Sequence, residues 1–157
     1  MPHKIYPLLQ ATVAELKTQP IPVDDEFDSF DEWINEQHDF LHYFELKDYY
    51  DNGIEDNFYF KKHNVDTEQL QNEIESAVGE LFEQFEDQID VMERTVEIIF
   101  DAIKKVANQY QLSLLVVYRE NPYWMLLPTQ DEDQLIQIAD AFNEAFNDDG
   151  DLNMVVY

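Results

Sequence analysis

The chain has no cysteine, only three glycines and only nine basic residues in 157, and each shortage closes off a class of chemistry. Without cysteine there is no disulfide, no thiolate zinc site and no cysteine nucleophile. Three glycines leave no material for a phosphate-binding glycine loop or a dinucleotide fingerprint, and no nucleophile elbow occurs. Catalysis is therefore not expected, and neither is a cofactor. Long apolar runs are also missing: stretches such as Leu112–Tyr118 fall far short of the ~20 residues that cross a bilayer. Met1–Gln19 has no basic start followed by an apolar stretch, which reads as a protein without a signal peptide, expected in the cytoplasm. With so few Lys and Arg, direct binding to nucleic acid or to an anionic membrane is not expected.

What is present is acid. Thirty-five Asp and Glu give a formal charge of -26. Two surface carboxylates about 7 Å apart repel by roughly 0.6 kcal/mol in bulk water, and salt shortens the reach of that field to about 8 Å. Solubility asks for only about 2–8 units of charge on a small domain. The excess implies a task, and the plainest is to meet a strongly basic partner. The chain also carries 11 Phe and 9 Tyr within a hydrophobic content of 45%, too rich for an acidic disordered tail. A chain of this length buries about 68–70% of its unfolded surface, enough for a real core. Adaptation to brine would trim large apolar groups and side-chain amides, yet Phe, Ile, Leu, Asn and Gln are all plentiful.

The pattern predicts one domain over 1–157, organised as 1–22, 23–65 and 66–157. Ile5, Leu8, Leu9, Val13 and Leu16 are spaced as one helix, which Pro20 and Pro22 stop. Phe30, Trp33 and Ile34 define a second helical face, and Phe40, Tyr43 and Phe44 a third, closed by Asp51-Asn52-Gly53. Phe58-Tyr59-Phe60 reads as a short strand or a packing loop. Asp66 and Gln69 mark the start of a long helix with a stripe of Leu70, Ile74, Ala77, Val78, Leu81, Phe82, Phe85 and Ile89. A bend near Asp90 leads to another helix through Tyr110. Leu112–Arg119 and Tyr123–Leu127 read as strands around a turn at Pro122. A helix follows, with Thr129 and Glu132 as its capping box and Leu135, Ile136, Ile138, Ala139, Phe142 and Phe146 as its apolar face. Leu152–Tyr157 closes as a strand. The expected fold is α+β: a helical N-terminal two-thirds packed with a small, mostly antiparallel three-stranded sheet in the order strand, strand, helix, strand.

Motifs for metals are weak. On a helix, His38 and His42 would share a face with Glu45 one turn on, but the zincin form needs Glu directly after the first His, and Asp39 stands there. The pair reads as surface histidines without metal, with the acidic field raising the His42 pKa. Counting back from Gly150 in Asp148-Asp149-Gly150-Asp151 puts Ala145 where a calcium loop needs its first ligand, so this segment and Asp51-Asn52-Gly53 read as a helix stop and a turn.

The acids are not scattered. Thirteen lie in Asp24–Asp56 against Lys47 alone, and twelve in Asp66–Asp101 against Arg94 alone. Surfaces ordinarily intersperse both signs. The expected partner-binding residues are the acids Asp24, Asp25, Glu26, Asp28, Asp31, Glu32, Glu36, Asp39, Asp48, Asp51, Glu55 and Asp56, and the rings Trp33, Tyr43 and Tyr49. Glu73, Glu80, Glu83 and Asp87 of the long helix support them. In general character the chain resembles acidic bacterial immunity proteins and DNA-mimic inhibitors, a resemblance of composition carried by no motif. It implies a non-enzymatic inhibitor of a basic nucleic-acid-handling protein, foremost a nuclease toxin, next a broad DNA mimic. A self-associating scaffold built on the apolar helix stripes is the third expectation, and monomer and dimer are both open.

Overall fold

Leu114, Leu115, Val116 and Val117 are all buried, so the strand they form, β2 (Ser113–Tyr118), has no wet face. The computed structural model describes residues 3–45, 51–84, 88–146 and 152–157. The turn at Pro122 folds the chain back as β3 (Tyr123–Leu127), antiparallel to β2 with Val116 opposite Trp124. Two further strands flank the hairpin: β1 (Leu41–Tyr43) pairs with β3, and β4 (Asn153–Val156) with β2. The sheet is thus four-stranded and antiparallel, in the order β1-β3-β2-β4. The α+β class holds, and the expected three strands become four.

The added strand comes from the segment expected to form a helix at Phe40–Phe44. Phe40, Leu41, His42 and Phe44 are all buried, because helices cover both faces of the sheet. A run buried on both sides loses the alternation that marks a strand, and its rings fit helical spacing equally well. Pairing with β3 decides the matter: Leu41 lies opposite Met125, His42 opposite Trp124 and Tyr43 opposite Tyr123.

The helices are α1 (Ile5–Thr12), α2 (Phe27–Ile34), α3 (Phe58–Lys62), α4 (Thr67–Gln84), α5 (Gln88–Gln109) and α6 (Glu132–Phe146). Residues opposite one another on neighbouring strands project to the same face, so His42, Trp124 and Val116 share one side of the sheet. That side meets α3 and α5, where Trp124 lies 6.3 Å from Phe60 and Phe44 lies 5.9 Å from Phe100. On the other side Tyr123 meets Phe27 of α2 at 5.1 Å, and Phe27 meets Phe142 of α6 at 6.0 Å. Tyr6 of α1 packs on Phe30 at 5.9 Å. Side chains from Ile5 to Met154 form one core cluster.

Several local expectations shift. The first helix ends at Thr12, and Val13 is extended before a 3₁₀ turn at Ala14–Leu16; Val13 and Leu16 are buried all the same. Phe58-Tyr59-Phe60 is helical because the Asn57 side chain accepts from the amides of Tyr59 and Phe60, which fixes the first turn of α3. Asp66 does cap α4 through the Gln69 amide at 3.0 Å. α4 is described to Gln84 and α5 from Gln88, so Ile89, expected on the stripe of the first long helix, belongs to α5. Asp131, not Thr129, caps α6 by accepting from the Gln134 amide at 3.3 Å. Phe82 and Ile136, both assigned to apolar faces, are exposed.

Each sheet margin is closed by an asparagine. At β1 the Asn35 side chain accepts from the Leu41 amide at 2.9 Å and donates to the Leu41 carbonyl at 2.9 Å. At β4 Asn143 does the same to Met154, at 2.7 and 3.0 Å. Outward main-chain groups that would otherwise accept another strand are thereby used.

The ends of α3 and α5 use the left-handed turn that favours glycine, but with Asn64 at φ 54° and Gln111 at φ 60°. The Val65 amide bonds back to Phe60 and the Leu112 amide to Ala107, closing both ends. A long side chain in this conformation costs about 1 kcal/mol relative to glycine. The Gln111→Gly variant is therefore expected to be more stable by about 0.5–1 kcal/mol in urea unfolding, whereas Asn64→Gly gains less because Asn tolerates the turn.

Candidate functional site

The acidic segment wraps the β1 margin of the sheet. Asp24, Asp25 and Glu26 are exposed before α2, and Asp28 and Glu32 are exposed along it. Glu36 and Asp39 line the passage to β1, and Asp51, Glu55 and Asp56 surround the 3₁₀ turn Ile54–Asp56; all are exposed. Between described residues the structure holds two ion pairs, His3 with Asp25 at 2.8 Å and Lys62 with Glu15 at 3.9 Å. Asp24 is engaged locally, accepting from the Glu26 amide and the Ser29 hydroxyl.

Asp31 is the one acid of α2 that is half-buried. Burial raises its pKa, a hydrogen bond donated by Asn35 opposes that, and the Asp28 and Glu32 charges raise it further. The same Asn35 side chain holds Leu41, so the acidic helix and the sheet margin are tied through one residue.

The acids of α4 are placed differently. Glu73, Glu80 and Glu83 are exposed, but α4 packs on α5 and the Ile54–Asp56 turn, across the sheet from α2. The two acidic helices form separate patches, connected around the margin by Asp39, Asp51, Glu55 and Asp56. Asp48, Tyr49 and Asp87 lie outside the described residues, as do Asp148–Asp151 and Phe85.

The predicted ring anchors separate cleanly. Trp33 is 3% exposed and meets Tyr6 edge-on at 4.9 Å, with its carbonyl accepting from Gln19. It is core, on the inner stripe of α2 with Phe30 and Ile34, and is corrected from the partner-binding set. Its neighbour Tyr6 shows the depth: burial, then the charges of Asp24 and Asp25, push that hydroxyl up to about 12. Tyr43 is 44% exposed and sits 5.4 Å from Tyr123 across the β1–β3 ladder. The Arg119 guanidinium stands 5.9 Å from the Tyr123 ring. Burial raises the Tyr123 pKa, as does the Asp31 charge, while Arg119 lowers it. Sequence reasoning missed Tyr123 as a surface residue. Its signal was the strand register, which sets it opposite Tyr43.

The histidine pair does not share a helix face. His38 is exposed and stacks on Phe58 at 4.6 Å. His42 lies in β1, buried against Trp124 at 4.7 Å, with its Nε2 3.1 Å from the Asn57 side-chain amide. Among the described residues no three His, Asp or Glu are grouped to hold a metal ion. Gly53, at φ 83°, packs so closely that a Cβ there would stand 2.5 Å from the His42 ring. Above the ring, Trp124 Nε1 donates to the Asn52 carbonyl at 2.6 Å, and Asn52 and Gln71 exchange side-chain hydrogen bonds. His42 is thus an interior tie between β1 and the turn that carries Asp51, Glu55 and Asp56. Instead of being raised, its pKa is pushed down to about 4 by burial, which outweighs the pull of the Asp39 and Asp56 charges and a backbone hydrogen bond at Asp39. Asn57 donates to Nε2, so a proton there would oppose the bond and disturb the cap of α3.

Among the described residues no helix is long and apolar enough to cross a membrane. No family model, curated protein or solved structure matches the chain.

The tie gives a pH dependence. Because His42 protonates more readily unfolded, near 6.5, than folded, near 4, its contribution is fully present above pH 6.5 and falls away as pH drops towards 4. Between pH 7 and pH 5 the loss is about 2 kcal/mol. The stability gap between the native chain and a His42→Gln variant, from urea unfolding, is expected to narrow by that amount over this range. A gap that stays constant would mean His42 is not buried as the neutral form.

Proposed function

We propose that the chain is a non-enzymatic inhibitor whose acidic surface occupies a basic, nucleic-acid-binding cleft of a partner protein, as an immunity protein does with a nuclease toxin. The observation that carries this reading is the disposition of the charge. Among the described acids between 24 and 56, all but Asp31 and Glu45 stand exposed around one sheet margin, and between described residues only two ion pairs form against a formal charge of -26. A field of this sign steers a cationic surface to encounter at about 10⁸–10⁹ M⁻¹s⁻¹ at low salt.

A shaped partner is favoured over general DNA mimicry by the mixture of carboxylates with Tyr43 and Tyr123 on a rigid strand pair, since a mimic needs only spaced charge. The basis for a self-associating scaffold is weakened. Leu70, Ile74, Val78 and Leu81 of α4 and Val91, Ile99 and Ile103 of α5 are buried within the chain, so among the described residues of those stripes Phe82 is the large apolar side chain left exposed to offer a second copy.

Affinity capture from the native cell is expected to retain a basic nuclease or DNA-binding protein, released as salt rises from 0.05 to 0.5 M. The fourfold variant Asp28→Lys, Glu32→Lys, Asp51→Lys and Glu55→Lys touches only exposed positions. It is expected to keep the native circular dichroism and lose the partner, and undiminished capture would remove this surface from the interface.

A further inference from the structure

The Tyr43–Tyr123 corner differs from the rest of the acidic surface in having a fixed shape. Tyr43 is set by the β1–β3 register, and Tyr123 is wedged between Tyr43 at 5.4 Å and Phe27 at 5.1 Å. Two rings held edge to face present a π surface without the entropy cost of ordering them on binding. Phe27, whose ring meets Tyr123 at 5.1 Å, shares α2 with Asp28 and Asp31, so those carboxylates belong to the helix packed against the corner and their charges act on Tyr123.

That combination suits one cationic group above others. A guanidinium is planar, stacks on an aromatic face and offers paired donors to a carboxylate; an ammonium is a compact, strongly hydrated point charge that does neither as well. The corner already holds one. Arg119, one of only two arginines in the chain, places its guanidinium 5.9 Å from the Tyr123 ring. Main-chain pairing is interrupted at this margin, because Asn35 uses the outward amide and carbonyl of Leu41. The side chains of Tyr43 and Tyr123 are what the corner offers instead.

We infer that the Tyr43–Tyr123 corner, with Asp28 and Asp31, is the seat for an arginine side chain of the basic partner, which takes the place Arg119 holds in the isolated chain. This rests on the proposed inhibitor function and adds which residue type the interface selects and where. Arginine-bearing loops are what a nucleic-acid-binding cleft presents to phosphates, and the corner offers carboxylates in their stead.

The test titrates the full chain, at 0.15 M salt, with hexa-arginine and separately with hexalysine peptide, followed by NMR. Hexa-arginine is expected to bind at least threefold more tightly, with the largest shifts at Tyr43, Tyr123 and Arg119. Tyr43→Ala, at an exposed position, is expected to abolish that preference while leaving hexalysine binding unchanged. Arg119→Gln is expected to tighten hexa-arginine more than hexalysine. Equal affinities, a preference that survives Tyr43→Ala, or shifts centred on α4 would overturn the arginine seat and leave the inhibitor reading standing. Saturable binding of neither peptide would overturn both.

Discussion

One hydrogen bond joins the most highly charged part of the chain to its interior: the Trp124 indole donates to the Asn52 carbonyl across 72 residues of sequence. Around it His42, Gly53, Asn57 and Gln71 form a polar knot with its donors and acceptors matched. A matched network in a low-dielectric interior is strong, and a half-matched one is costly. The knot positions the turn at Ile54–Asp56, the cap of α3 and the inner side of β1 together. The acidic margin is therefore held from beneath, by groups that carry no charge at neutral pH.

That arrangement resolves the conflict posed by the composition. Each pair of neighbouring carboxylates repels by a few tenths of a kcal/mol, and few cations stand among them to offset it. Each large apolar side chain fully buried contributes about 1.5–3 kcal/mol. Phe30, Phe44, Phe60, Trp124 and Phe142 are all fully buried beneath the charged shell. Among the described residues the abundance of aromatic side chains in this acidic chain thus belongs mainly to the core, with Tyr43 and part of Tyr123 reaching the surface beside α2.

How far the sequence could be read follows from where water lies. α2, α4 and α6 each have one dry and one wet face, so their periodicity located them. The β2–β3 hairpin was legible from its Leu- and Val-rich strands about Pro122. β1 was not, because Phe40, Leu41, His42 and Phe44 are buried in succession and leave no clear alternation, and only its partner in β3 distinguishes it from a turn of helix. The same blindness affected the site. Composition located the acidic segment, but could not tell Trp33, which is buried, from Tyr43, which is exposed. Tyr123 became visible as part of the surface only once the strand register was known. The His42 expectation failed for a related reason: counting neighbouring acids predicts a raised pKa, and only depth reveals that desolvation wins.

Asn35 and Asn143 hold a further consequence. At Leu41 and at Met154 the outward amide and carbonyl are already engaged by an amide side chain, so a neighbouring copy meets a ladder interrupted at each rim. Growth by stacking rim on rim is hindered at those two residues, and like charge keeps the copies apart besides.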